Sequence, residues 1–167
     1  RGNLAYGGGV LMDWIGHHND IAQWALGMDQ SGPSKVEAVN WTFPDTDVYN
    51  APEIHEIQCE YPGGIVSSIS NKHRGGLKLI GDDGWVYVDR GVLEASDEHW
   101  TKKSFDPGAI KAYVSDRHTE NFLNCVKTRR VCIAPAETAH RSVTPGHLAY
   151  VSHALGRPLN WNAREEF

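Results

Sequence analysis

Long apolar runs are missing from this sequence. No stretch is long enough to span a bilayer, so a membrane is not an expected partner. Dense basic blocks are missing too. Lys and Arg number 16 against 21 Asp and Glu, for a formal net charge of −5, which argues against a nucleic-acid or anionic-membrane surface. Cysteine is scarce. Cys59, Cys125 and Cys132 are odd in number and form no C-x-x-C pair, which fits reduced thiols better than a disulfide framework or a zinc site. Internal repeats, low-complexity stretches and long linkers are absent. So is an initiating methionine, and Arg1-Gly2-Asn3 reads as the middle of a longer chain. The lack of a visible secretory signal therefore says little. The cytoplasm is the favoured compartment, with export left open.

What remains is ordinary for a globular protein. Of 167 residues, 40% are hydrophobic and 22% charged, which suits one compact domain over residues 1–167. The first clear element runs from about Gly9 to Leu26 with helical periodicity. Leu11, Ile15, Ala22 and Leu26 lie along one stripe, and Gly27 is a natural stop. Gly7, Gly8 and Gly9 allow a sharp turn into this helix. The middle of the chain reads as antiparallel strands: Val36 to Phe43, Glu53 to Tyr61, Ile65 to Asn71, Leu77 to Gly81, Trp85 to Asp89 and Val92 to Ala95. Pro62-Gly63-Gly64 and Asp82-Asp83-Gly84 mark hairpin turns. Two late helices are expected, Thr119 to Lys127 and a span between Pro135 and Gly156. Pro145-Gly146 interrupts the second, which predicts a kink or two helices. Leu159 and Trp161 suit a final edge strand. The fold expected is α+β: a large, mostly antiparallel open sheet with helices on one face.

Asp13, His17 and Asp20 are the sharpest feature. Their i, i+4, i+7 spacing puts them on one face of the first helix. A carboxylate one turn from an imidazole can fix its tautomer and raise its basicity, which suits proton transfer near neutral pH. On spacing alone, a solvated face with local salt bridges is the simpler account. The flanking Trp14 and Trp24 and the triple glycine are features that account does not need. A metal site is the weaker rival. His17 and His18 are adjacent and point about 100° apart, and no H-E-x-x-H pattern exists, so no metal is expected.

The stretch GGGVLMDWIGHHNDIAQWALG resembles the glucose–fructose oxidoreductase and inositol dehydrogenase (Gfo/Idh/MocA) family, whose second domain opens with glycines and a D-x-x-x-H-x-x-D helix. EYPGGIVSSISN is similar to the family's central hairpin and IGDDGWVYVDRGVLEAS to its strand–turn–strand. HTENFLNCVKTRR and IAPAETAHRS resemble its late helices, and LGRPLNWN its closing segment. The resemblance covers nearly the whole chain. It implies a two-domain parent in which a separate Rossmann domain binds NAD or NADP and supplies a lysine. It also implies that Asp13 and His17 form the proton-transfer pair, with Asp13 orienting His17, and that the substrate is a sugar or polyol. Asp20 matches the trailing Asp and stands among substrate-side residues, with a structural role as the alternative. The family's exposed sheet face implies a homo-oligomer.

Two departures stand out. Ile15 occupies the glycine position of the common D-x-G-x-H pattern, and Pro145-Gly146 falls in a helix usually uninterrupted. The sequence has no G-x-G-x-x-G after a strand and no Glu-Lys-Pro, so no cofactor is expected on this chain alone.

Secondary candidates follow. His18 neighbours the pair at the pocket rim. Arg74, beside His73 on a glycine-flexed loop, offers donors for substrate hydroxyls, as an ordinary basic turn would. His118 precedes the Phe122 helix, with plain exposure as its rival account. His140, Arg141 and His147 are explained equally by a solvent or subunit face. Of the six tryptophans, most are core by default, and one or two offer a surface for stacking on a sugar ring without the sequence distinguishing which. Three other functions stay open: a non-catalytic binding or assembly module, a glycoside hydrolase using bound NAD, and a metal-dependent hydrolase.

Overall fold

A computed structural model describes residues 1–102 and 113–166. The chain divides into two compact units, Arg1–Leu77 with Glu137–Phe167, and Lys78–Ala136. The fold is α+β, with strands in two sheets rather than one.

The first unit holds helix α1 (Gly9–Ala25), strands β1 (Lys35–Ala38), β2 (Glu56–Tyr61) and β3 (Ile65–Ser70), helix α3 (Ala136–Leu155) and strand β7 (Leu159–Asn160). Its sheet has the order β3-β2-β1-β7, and all three pairings are antiparallel. Alternation along β2 decides which face is buried. Ile57, Cys59 and Tyr61 point inward and meet Leu11 and Ile15 of α1, Val36 of β1 and Ala149 of α3. Glu56, Gln58 and Glu60 take the opposite face, where Lys35 pairs with Glu60 at 2.6 Å. Both helices thus cover one side of the sheet.

Several boundaries differ from expectation, among them the start of β2 at Glu56 rather than Glu53. The first strand ends at Ala38 instead of continuing to Phe43. Trp41 turns in and donates its indole N–H to the Glu56 carbonyl at 3.1 Å, the same carbonyl that accepts from the Val39 amide, and antiparallel pairing resumes only at the isolated Thr42–Ile54 bridge. The last strand is Leu159–Asn160, short of Trp161, whose amide donates to Ser34 instead. Finally, α3 is one helix through Pro145, not two.

Pro145 has no N–H, so the Arg141 carbonyl four residues back loses its partner within the helix. Gln23 of α1 supplies the missing donor at 3.3 Å, and Asn19 donates to the adjacent Ser142 carbonyl at 2.8 Å. Gly146 lets the helices approach closely, because a Cβ there would lie 2.5 Å from the Met12 sulfur. The interruption read from Pro145-Gly146 is therefore a seam made good by α1.

The second unit contains β4 (Leu77–Gly81), which begins at its boundary, with β5 (Gly84–Asp89), β6 (Val92–Ala95) and helix α2 (His118–Thr128). The sheet order is β4-β5-β6, and β5 pairs antiparallel with β6. No helix among the described residues is long and apolar enough to cross a membrane.

His55, just before β2, is buried, and burial pushes its imidazole below the usual histidine range. Folding therefore favours the neutral ring. The unfolded chain begins to bind a proton near pH 6.5 while the folded chain does not, so stability is whole above that pH and falls as pH drops below it. Thermal unfolding between about pH 7 and about pH 5 should show a falling midpoint, and His55→Gln should flatten the decline. Parallel slopes for parent and variant would mean that other groups carry the acid sensitivity.

Candidate functional site on the first helix

The approach to α1 is built from glycine. The Gly9 amide donates to the Arg1 carbonyl at 3.0 Å, folding the first residues back over the helix start. Gly9 has φ +70, and a Cβ there would meet the Ala51 Cβ at 2.7 Å, so no other residue fits without strain or displacement. The Tyr150 hydroxyl of α3 donates to the Gly8 carbonyl at 2.9 Å and pins the turn from the other side. Burial raises that phenol above its usual range, which keeps it a donor.

Asp13, His17 and Asp20 share one face, as their spacing requires. Their partners differ. The fold-back brings Arg1 to Asp13 in an ion pair of 2.5 Å, with side-chain exposures of 60% and 48%. At that exposure the pair contributes little stability. It does decide where the carboxylate points. A guanidinium is always charged and presents a fork of donors that matches a carboxylate. Among the described residues, the His17 ring nitrogens have no hydrogen-bond partner. His17 is exposed, with its ring edge-on to Trp14 at 5.7 Å. His18 is half-buried and lies 5.4 Å from the same indole.

Asp20 turns toward α3. The Ser142 hydroxyl lies 2.6 Å from its carboxylate and 2.8 Å from the Thr138 carbonyl. One hydroxyl proton can serve only one acceptor at a time. Asp29 is raised above the usual carboxylate range by burial and by the nearby Asp20 charge.

The remaining candidates stand elsewhere. Arg74 is on the exposed turn after β3, where His73 lies 2.8 Å from the Ser68 hydroxyl. His118 opens α2 in the second unit, on an open hollow that it lines with Arg117, Leu123 and Lys127. Arg141 is structural: it meets Glu137 at 2.8 Å and Glu166 at 2.9 Å and donates to the Ala163 carbonyl, tying the closing segment to α3. His140 also faces Glu166, at 3.2 Å. Arg1, Ser142 and Tyr150 were invisible as site neighbours, because chain reversal and interhelical packing bring them in and no local spacing records either.

The cysteines are free, and burial pushes the Cys59 thiol up to about 12, so it is no nucleophile near neutral pH. Among the described residues no cluster of three His, Cys, Asp or Glu side chains is arranged for a metal ion. Among the described residues, the arrangement that holds a dinucleotide in a Rossmann fold is not seen. That requires a parallel strand leading through a Gly-rich turn into a helix, whereas α1 follows a turn and the pairings β1–β2, β2–β3, β1–β7 and β5–β6 are antiparallel.

Comparison with known proteins gives a consistent picture. The family model described as "Oxidoreductase family, C-terminal alpha/beta domain" matches residues 1–167. Among solved structures, GenD2 from gentamicin A biosynthesis, in complex with NAD, is 19% identical, with a TM-score of 0.56 over 94% of this chain and 49% of its own. The UDP-N-acetylglucosamine 3-dehydrogenase GnnA from Acidithiobacillus ferrooxidans is 18% identical, with a TM-score of 0.59 over 89% of this chain and 50% of its own. An aldose-aldose oxidoreductase from Caulobacter crescentus, complexed with glycerol, is 17% identical, with a TM-score of 0.60 over 87% and 45%. At these identities the likeness is one of fold. This chain spans about half the length of each of those structures. No curated protein matches it.

Proposed function

This chain belongs to the Gfo/Idh/MocA oxidoreductase family, as its C-terminal α/β domain, and on that premise we propose that it is the substrate side of an enzyme oxidising a hydroxyl of a sugar or polyol. The observation that carries this reading is the exposed, unengaged imidazole of His17 on a helix whose start is fixed by Gly9 and Tyr150. A nicotinamide, NAD or NADP, held by a separate domain supplies the hydride acceptor. His17 accepts the proton of the substrate hydroxyl, the general-base role that histidine takes most often. Asp13, held by Arg1, keeps a negative charge one turn away, which favours the imidazolium that forms. Asp20 supports the helix through Ser142, while His18 and Arg74 are the further substrate contacts in this reading. The family setting and the sugar-handling enzymes among the structural neighbours support the substrate class. Self-association through the outer face of the four-stranded sheet belongs to the same reading. That face carries the Lys35–Glu60 pair and the exposed Val66.

The test is division of labour. The full-length protein should bind NAD or NADP and reduce it with a sugar or polyol, whereas residues 1–167 expressed alone should bind neither cofactor. Calorimetry and nicotinamide fluorescence measure both. Cofactor binding by residues 1–167 alone would sink the reading. So would the absence of nicotinamide reduction by the full-length protein across pyranoses, cyclitols and open-chain polyols.

A further inference from the structure

We propose that Cys125 and Cys132 are a redox-sensitive pair, a modification site that closes reversibly into a disulfide when a small disulfide oxidant such as oxidised glutathione reaches the end of α2. The pair lies wholly within the second unit and is independent of the reaction proposed above. Helix α2 ends at Thr128, and Arg129 takes a left-handed conformation, φ 59, that turns the chain back. Asn121 and Cys125 are four residues apart, so they share the face of α2 that the returning segment meets. The Ile133 amide donates to the Asn121 side-chain carbonyl at 3.1 Å, and the Cys125 thiol donates to the Val131 carbonyl at 3.6 Å.

Those two backbone groups flank Cys132, and both face α2. In an extended segment the residue between two such groups has its Cα displaced toward the partner element. Standard bond lengths put the Cys132 Cα about 2.8 Å from the Val131 oxygen, hence no more than about 6.4 Å from the Cys125 sulfur. Two cysteines bridge at Cα separations of about 4.4–6.8 Å, so the fold-back has already brought the pair to bridging scale. Closing the bridge asks for rotation of the two thiols, not for a new path of the chain. Each thiol now makes one weak contact, Cys125 with Val131 and Cys132 with the Ala134 carbonyl at 3.2 Å. An S–H group is a weak donor, so both contacts are given up at little cost. Both residues are half-buried, which leaves them open to a small reagent. Cys59 is fully buried in the core of the first unit and does not compete.

The exchange balances without any further reagent. One protein thiolate attacks a sulfur of oxidised glutathione, forms a mixed disulfide and releases one glutathione. The second protein thiolate then attacks the protein-side sulfur of that mixed disulfide and expels the second glutathione. One S–S bond breaks and one forms. The two cysteines lose two electrons and two protons, which end on the two glutathione thiols. Excess reduced glutathione drives the same steps backward. The closed ring spans residues 125–132 and crosses the end of the helix, so oxidation fastens the returning segment to α2.

Lys127, Arg129 and Arg130 lie between the two cysteines, so trypsin separates them unless a disulfide joins the fragments. The full-length protein is equilibrated with mixtures of reduced and oxidised glutathione, both folded and in urea, then quenched with acid, alkylated and digested. Mass spectrometry of the folded protein should find residues 118–127 joined to residues 131–141, with dithiothreitol releasing the two and Cys59 remaining a free thiol. Half-conversion of the folded protein should need about tenfold less oxidised glutathione than that of the urea-unfolded chain, because the fold holds the thiols close together. Cys132→Ser should abolish the joined fragment and leave Cys125 as a mixed disulfide with glutathione. The measurement on the parent decides the matter even if that variant does not fold. Equal requirements in the folded and unfolded states would overturn the pair. So would mixed disulfides that persist on both cysteines of the parent, or a joint from either of them to any other cysteine.

Discussion

Replacing His17 with alanine in the full-length protein is expected to lower kcat by roughly 10²- to 10⁴-fold, the range for removal of a positioned general base. Nicotinamide affinity and thermal stability should not change, because the His17 ring is exposed and meets Trp14 only edge-on. Added imidazole should restore part of the rate. Asp13→Asn should cost less. Its carboxylate is engaged by Arg1, so its effect on His17 is a through-space charge effect across one helical turn, screened by solvent at that exposure. The comparison is informative. Equal losses at both positions would mean that Asp13 leaves Arg1 for His17 when substrate binds. Unchanged turnover in His17→Ala would remove the proton-transfer role altogether.

The second large effect is on folding. Gly9→Ala should destabilise the protein by about 2–5 kcal/mol, combining left-handed backbone strain with overpacking. That is a large part of the stability of a typical domain. Gly27 supplies the internal control. Its φ is +68 against +70 at Gly9, but a Cβ there would meet nothing within 4 Å. Gly27→Ala should therefore cost about 1 kcal/mol, the backbone part alone. Urea unfolding of the two variants separates strain from collision. Equal midpoints would show that Ala51 and Tyr150 give way at no cost.

Much of this architecture is local and hence legible. The buried positions of α1 follow the Leu11, Ile15, Ala22 stripe, and Pro62-Gly63-Gly64 turns where its left-handed glycines permit. The differences at β1 and α3 involve contacts that no local spacing records. Trp41 reaches the Glu56 carbonyl beside the end of β1, and Gln23 of α1 meets the carbonyl that Pro145 leaves without a helical donor. The candidate site divides the same way. The shared face of Asp13, His17 and Asp20 follows from 3.6-residue periodicity, whereas the capture of Asp13 by Arg1 depends on a chain reversal, and that of Asp20 on the packing of α3.

The bond between Gln23 and the Arg141 carbonyl also constrains the order in which this sequence can change. While Pro145 is present, an apolar residue at 23 strands a carbonyl in the seam. Once residue 145 regains an amide hydrogen, the helix satisfies that carbonyl itself, and position 23 is released. The tolerated path runs through 145 first and 23 second, and the reverse path crosses a destabilised intermediate. Two positions 122 apart in the chain are thus mutationally coupled.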